Sequence, residues 1–346
     1  MTDALLQPEE LRPHTERANA ILAELDRLLL GRSNLHRMVV TGILARGHIL
    51  LEGVPGLGKT ALAKSLGAIL GLELRRVQFT PDLMPGDILG TNILQESDDG
   101  RRVMQFQSGP VFTNVLLADE INRASPKTQS ALLEAMQERA VTLLGITRPL
   151  PDPFFVLASQ NPIELEGTYP LPEAQIDRFL FKLHVTHVDA STLEEIVSTR
   201  RRGETPPPQA RLTAAELAEL FAAVDRIFLP RPVARYIARL VAATHPGEAP
   251  GVESVTRYVS LGASPRAAIA LAEAGRAEAL LAGRPTVGFD DVKRVAFAVL
   301  NHRLILGYRA RLDGIKAEQI VNDVLGAVEE TGIGLPADLR VEAVRA

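Results

Sequence analysis

HILLEGVPGLGKT, residues 48–60, decides how the rest of the chain is read. An apolar run, Ile49-Leu50-Leu51, ends at Glu52 and meets a glycine-rich loop that closes on Lys59 and Thr60. The loop fits G-x-x-x-x-G-K-[ST] over Gly53, Val54, Pro55, Gly56, Leu57, Gly58, Lys59 and Thr60. Gly53 and Gly58 are expected to take backbone angles that a side chain forbids, which turns successive N–H groups onto phosphate oxygens. Pro55 stiffens the loop. Lys59 sets a point charge against the β- and γ-phosphates, and the Thr60 hydroxyl can ligate Mg²⁺. The helix that follows carries Ala61, Leu62, Ser65, Leu66 and Ile69 on one face and points its positive end at the same anion. A chance glycine-rich turn would lack the strand before and the helix after.

The bulk numbers narrow the classes. At 346 residues the length favours two domains. Hydrophobic residues make up 46% and charged ones 23%, which suits a globular chain with a full core. Aromatics are 4% with no Trp, a poor supply for stacking bases. The net charge of −4 gives no global attraction to a polyanion. The absence of Cys excludes disulfides, thiolate zinc sites and Cys nucleophiles. The start, MTDALLQPEELRPH, is not a signal peptide, and no apolar stretch is long enough to span a bilayer. The expectation is a soluble, cytoplasmic protein.

Along the chain, residues 1–13 read as a loose lead-in, with Pro8 and Pro13 interrupting any helix. Helices follow over Thr15–Leu30 and Ser33–Ala45, then strands His48–Glu52 and Glu73–Phe79. Two short strands, Gly90–Leu94 and Arg102–Phe106, flank a turn at Asp98-Asp99-Gly100. Val115–Ala118 is a wholly apolar strand of the kind buried in a parallel sheet. Ser125-Pro126 starts a helix that runs to about Glu138. A second hairpin spans Ala140–Leu150 around Gly145, and further strands are Phe154–Ser159 and Leu180–Val185. Ser191–Glu194 and Thr213–Glu216 read as capping boxes on either side of a stiff connector over residues 203–209. Beyond it the pattern is helical, with stripes Leu217, Leu220, Phe221, Val224 and Val292, Val295, Ala296, Val299, Leu300. The fold class is α/β, a parallel sheet flanked by helices, followed by a helical domain. The boundary is expected near residue 190.

A phosphate loop alone does not choose among kinase, GTPase and ATPase. Asp119, at the end of a buried strand, can hold the Mg²⁺ shell. Glu120 follows on the other side of the strand and can polarise a water for in-line attack. A small-molecule kinase has no use for that water, so Asp-Glu favours hydrolysis. No N-K-x-D motif favours GTP. Asn161, at the tip of the next strand, can hold the water or the γ-phosphate; it reads equally as a turn residue before Pro162. His184 and His187 alternate at a strand end with no third ligand nearby, which does not make a zinc site.

The chain resembles the MoxR family of AAA+ ATPases, the clade with an insert in helix 2. The residues that carry the likeness are HILLEGVPGLGKT (48–60), LLADEINRASPKTQSALLEAMQER (116–139), ASQNP (158–162), LPEAQIDRF (171–179), GASPRA (262–267) and His302-Arg303. The resemblance implies an ATPase core over residues 1–190 and a helical lid over residues 191–346. It also implies ATP and Mg²⁺, with Thr60 and Asp119 on the metal, and a homo-oligomeric ring, a hexamer. Residues 90–107 would be the helix 2 insert and 140–150 the hairpin before sensor 1, both facing the pore or a partner. Asn161 matches sensor 1, Arg178 the arginine finger that reaches a neighbour's γ-phosphate, and Arg266 sensor 2. A plainer reading of Arg178 is a salt bridge to Asp177 or Glu173. Whether Arg266 acts in cis or in trans stays open. Arg123 reads as a solvated helix-start arginine, with a subunit contact as the alternative. The implied activity is chaperone-like remodelling or maturation of a protein or metalloprotein complex, with a von Willebrand factor A domain protein as partner.

Two other functions share this core. A nucleic-acid motor or loader is disfavoured by charge and composition, with only Arg101 and Arg102 at the first hairpin tip in its favour. A metal-chelatase ATPase subunit would carry the same insert.

Overall fold

The computed structural model describes residues 5–96, 102–162, 168–201 and 204–331. The first element, α1 (Pro8–Leu28), corrects the expectation of a loose lead-in from Pro8 onward; residues 1–4 of that stretch lie outside the described residues. Pro8 sits in its first turn, where its missing N–H costs nothing, and the helix continues through Pro13. Leu11, Ala18, Ile21, Leu25 and Leu28 bury one face, and that burial outweighs the one hydrogen bond that Pro13 removes. α2 (Ser33–Leu44) follows Gly31, whose φ of +81° makes the turn.

β1 (Ile49–Glu52) leads into α3 (Lys59–Leu70), β2 (Leu74–Gln78) and the short α4 (Pro85–Leu89). β3 (Gly90–Glu96) and β4 (Arg102–Ser108) form an antiparallel ribbon. Its expected turn, Asp98-Asp99-Gly100, and Arg101 lie outside the described residues. β5 (Val115–Asp119) and α5 (Pro126–Glu138) come next, with the Ser125 hydroxyl capping α5 at the Thr128 N–H. β6 (Ala140–Leu143) and β7 (Ile146–Pro149) close through Leu144 and Gly145, both at positive φ, the two-residue turn whose twist suits a hairpin. β8 (Phe155–Gln160), α6 (Glu173–Ile176) and β9 (Phe181–His184) complete this half.

The sheet order is β2-β5-β8-β1-β9, and every pairing is parallel. Alternation along the strands splits two cores. Ile49, Leu51, Val115, Leu117, Phe155, Leu157, Phe181 and Leu183 face one side, toward α1, α2 and α3. Leu50, Val77, Leu116, Ala118, Val156 and Ala158 face the other, toward α4 and α5. With both faces covered, β5 and β8 are apolar until their carboxyl ends, where Asp119, Ser159 and Gln160 stand.

The remaining helices are α7 (Ala190–Thr199), α8 (Ala214–Asp225), α9 (Arg231–Ala242), α10 (Glu253–Tyr258), α11 (Pro265–Leu281), α12 (Phe289–Leu300), α13 (Tyr308–Leu312) and α14 (Ala317–Ala327). β10 (Val259–Leu261) and β11 (Ile305–Leu306) pair briefly among them. The Thr213–Glu216 capping box is present; the Ser191–Glu194 box is not. Asp189 caps α7 instead, accepting the Thr192 N–H, because the helix begins before Ser191. α1 and α2 pack on α8 and α11, so one apolar core runs from the first helix through the sheet into the helical half. No helix among the described residues is long and apolar enough to cross a membrane.

Candidate functional site

Three neighbouring strands deliver the expected site to one edge of the sheet. β1 ends in the glycine loop, β5 in Asp119 and Glu120, and β8 in Asn161. The carboxyl edge of a parallel sheet is where such folds bind ligands.

The loop glycines serve two different needs. Gly56 and Gly58 stand at φ +82° and +79°, which other residues adopt only with strain. Gly53 does not need a special angle, contrary to the expectation. It needs space: a Cβ there would lie 2.7 Å from the Val185 carbonyl oxygen. Gly58 precedes α3 with no side-chain cap, which leaves the first-turn N–H groups free for an anion. Lys59 is buried and donates to the Gly53 carbonyl, folded against the loop. Burial lowers its pKa, and Asp119 and Glu120 oppose that shift. Val54 and Thr60 are half-buried, Leu57 is buried and Pro55 is exposed.

Asp119 Oδ2 accepts two N–H bonds from Arg76, at 2.7 and 3.2 Å, and Oδ1 accepts the Ser159 hydroxyl. Glu120 has left the strand. It sits at φ +56°, ψ +49°, so strand alternation does not set its direction as expected. Its N–H donates to Ser159 Oγ at 2.9 Å, and its Oε2 accepts from Gln78 at 2.8 Å and from Arg123 at 3.0 Å. Arg123 is paired with Glu120 while its side chain stays 40% exposed, so the solvated reading holds with an ion pair added. Asn161 is buried, and its carbonyl accepts from Asn122. Among the described residues no cluster of three His, Asp or Glu forms a protein-only metal cage. One hydroxyl and one carboxylate, Thr60 and Asp119, suit Mg²⁺, which keeps several waters and takes the rest of its shell from phosphates. His184 Nδ1 lies 3.2 Å from Glu52.

Beside the loop opens a cavity of about 470 Å³, walled by Leu28, Leu35, Leu57, Val185, Leu193 and Ile196. That size and lining suit a nucleotide base. Arg32 stands at its rim. It donates to the Leu57 carbonyl at 2.5 Å, and its buried Nε has no partner among the described residues. Sequence reasoning missed Arg32, Arg76 and Gln78. Only tertiary register brings them in: Gln78 lies opposite Asp119 across β2 and β5.

Arg178 and Arg266 are not at this edge. They line a second recess of about 320 Å³ with Asp177, Gly47, His48 and Arg303. Phe181 pairs with Ile49, the first residue of β1, and Arg178 precedes Phe181. The phosphate loop begins after Glu52, at the far end of the same strand. Four residues of strand separate the two by about 13 Å before any loop is counted. Arg178 makes no ion pair among the described residues; the expected alternative, Asp177, is engaged by Arg303 and lies 3.5 Å from Arg266.

A family model, ATPase family associated with various cellular activities (AAA), matches residues 48–181, and the AAA lid domain matches residues 253–324. The chain is 45% identical to Chaperone MoxR1 of Mycobacterium tuberculosis over 306 residues, 88% of this chain and 80% of that one. Protein MoxR of Methylorubrum extorquens is 32% identical over 89% of this chain and 92% of its own. A crystal structure from Cytophaga hutchinsonii, described as a candidate ATPase, superposes with a TM-score of 0.85 at 40% identity, covering 93% of this chain and 97% of that one. With its phosphate loop, its parallel α/β core and these relatives, the chain belongs to the MoxR family of AAA+ ATPases.

Proposed function

We propose that this protein hydrolyses Mg·ATP at the seam between two copies of itself, in a cytoplasmic ring of six, and uses the motion to remodel a client protein. One observation carries the reading: the phosphate loop and the Arg178–Arg266 pair occupy opposite ends of the same sheet. A guanidinium so placed serves a neighbour's phosphate and not its own chain's.

Lys59 and the first-turn N–H groups of α3 bind the phosphates. Thr60 and Asp119 would hold Mg²⁺, which would supply neutralisation of the phosphate charge. Glu120 accepts the proton of the attacking water, with Asn161 orienting that water. The left-handed backbone at Glu120 and its bonds from Gln78 and Arg123 fix the carboxylate beforehand. Arg178 and Arg266 of the adjacent subunit meet the charge that develops on the γ-phosphoryl oxygens. Both hairpins then carry the motion to a client, with a von Willebrand factor A domain protein as partner.

The test is a pair of variants. Glu120→Gln should bind ATP normally and turn over at least about 10²-fold more slowly. Arg178→Ala should also bind ATP but lose about 10³-fold or more of its assembly-dependent turnover. Wild-type protein diluted to monomers that kept its full rate per subunit would defeat the reading.

A further inference from the structure

His302-Arg303 belongs to the sequence likeness but has no role in the chemistry above. Arg303 lies just beyond α12 with 7% of its surface exposed. Its five N–H groups meet five acceptors. Nε donates to Asp177 Oδ1 at 2.8 Å. One terminal nitrogen donates to the carbonyls of Leu180, at 3.2 Å, and Val299. The other donates to the carbonyls of Asp177, at 3.1 Å, and Phe179, at 2.7 Å. No donor is left over, and no other side chain carries five in one rigid plane.

Four of those acceptors belong to residues 177–180, the turn that carries Arg178. Of the neighbours of Arg303, His302 grips the same turn and Asn301 the strand that follows it. His302 Nε2 donates to the Phe179 carbonyl at 3.1 Å, and Asn301 donates to the Lys182 carbonyl at 3.0 Å. The other oxygen of Asp177 faces α11: it accepts the Ser264 hydroxyl at 2.9 Å and lies 3.5 Å from Arg266. Ser264 holds the N-cap position of α11 yet makes no capping bond, because its hydroxyl is given to Asp177. One carboxylate thus joins three elements, with Arg303 on one oxygen and Arg266 near the other. Arg178, whose nearest carboxylate is taken, keeps its guanidinium unpaired among the described residues.

We propose that Arg303 is a positioning residue for the arginines that act in trans: its saturated guanidinium fixes the Arg178 turn to the lid, and through Asp177 it sets Arg266 on the same base. A subunit's lid then places the arginines that its neighbour needs, which couples lid geometry to hydrolysis next door. A core-filling role would need only volume and neutrality. It would not need four bonds directed at one turn. The proposal rests on the reading that Arg178 and Arg266 serve the adjacent subunit, and the experiment separates the two.

Arg303→Lys keeps the charge but supplies three donors from one atom, so at least two of the five acceptors lose their partner. Turnover at saturating ATP should fall about 10²-fold, the cost of misplacing a group by an ångström. The ATP dissociation constant should stay within about twofold, because each chain's phosphate loop lies at the far edge of the sheet. Mixing Arg303→Lys with Glu120→Gln, whose arginine recess is intact, should restore turnover in subunits that neighbour it. Arg178→Ala mixed with Glu120→Gln is run alongside. Rescue of both mixtures supports the proposal. Rescue of Arg178→Ala alone overturns it and leaves the trans reading standing. Rescue of neither removes the trans reading, and the proposal with it. A wild-type rate for Arg303→Lys also overturns it. Should Arg303→Lys fail to fold by circular dichroism, Ser264→Ala takes its place, since no helix cap is lost with that hydroxyl. A drop of about fivefold in kcat, rescued by Glu120→Gln, is then expected; an unchanged kcat overturns the proposal.

Discussion

Arg32 is the residue whose role is hardest to foresee and simplest to test. It follows Gly31 in the turn between α1 and α2, where an arginine ordinarily reads as solvated. Its donation to the Leu57 carbonyl ties the cavity rim to the phosphate loop, and its buried Nε has no acceptor among the described residues. A purine ring nitrogen in that cavity would supply one. Arg32→Ala should therefore weaken ATP and ADP about tenfold, the scale of one charged hydrogen bond, and leave inorganic tripolyphosphate unchanged. Titration calorimetry with the three ligands distinguishes the cases; an equal loss for tripolyphosphate would mean that Arg32 serves only the loop. The contrast with Lys59 shows what was legible at this scale. Lys59, Thr60, Asp119 and Glu120 announce themselves because their chemistry is local to one loop and one strand end. Arg32, Arg76 and Gln78 reach the same site from turns and strands remote in sequence. Nothing in their own neighbourhood marks them.

Elements were legible wherever period and punctuation agreed. The strand ends fall within two residues of the expectation, and Ser125-Pro126 and Gly145 act as read. The failures share one cause. Pro13 and the Ser191 box were judged by local rules, and packing or an earlier cap prevailed. The β3–β4 ribbon is the opposite case, an element with little packing at all. Ile93, Leu94, Val103 and Met104 are exposed. Its base is a close approach of backbones: a Cβ on Gly90 would lie 2.4 Å from the Gln107 carbonyl oxygen, and one on Gly109 2.2 Å from that of Ile88. Its side-chain ties are Phe106 against Phe112, with ring centres 5.6 Å apart, and Arg148 over the Phe106 ring at 4.0 Å. Thr91 pairs with Gln107, so Asn-Gly can replace residues 92–106 as a two-residue turn. The shortened protein should lose only about 1–2 kcal/mol, the worth of those aromatic contacts. Its ATP affinity should be unchanged. Thermal unfolding checks this; loss of the cooperative transition would show that the ribbon carries part of the core.

Across the whole molecule, buried histidines sit at seams between elements and make stability depend on pH. His36 joins α2 to α1 through Asp26, at 2.6 Å. His48 accepts the Val156 N–H at 3.0 Å and donates to the Met136 carbonyl at 3.2 Å, bridging the start of β1 to β8 and α5. His302 holds the Arg178 turn. Burial lowers the pKa of all three; for His36, Asp26 partly opposes it, and His48 falls from 6.5 to about 4. Unfolded, each takes up its proton near pH 6.5; folded, each resists until the pH is lower. Between the two the unfolded chain binds more protons, so acidification favours unfolding. Stability should be level above pH 7 and fall from about 6.5 downward, with His48 alone worth on the order of 3 kcal/mol once pH 4 is reached. Glu24 and Glu52 are held at about 2, down from 4.5, so they add to the loss as the pH falls from about 4.5 toward 2. Urea midpoints at pH 7.5, 6 and 5 measure the slope. His48→Gln isolates its source, because the amide can keep both hydrogen bonds and has no proton to gain. That variant should be weaker than wild type at pH 7.5 and should decline less steeply, so the two curves converge in acid. A variant curve that ran parallel to wild type would show that the proton enters elsewhere.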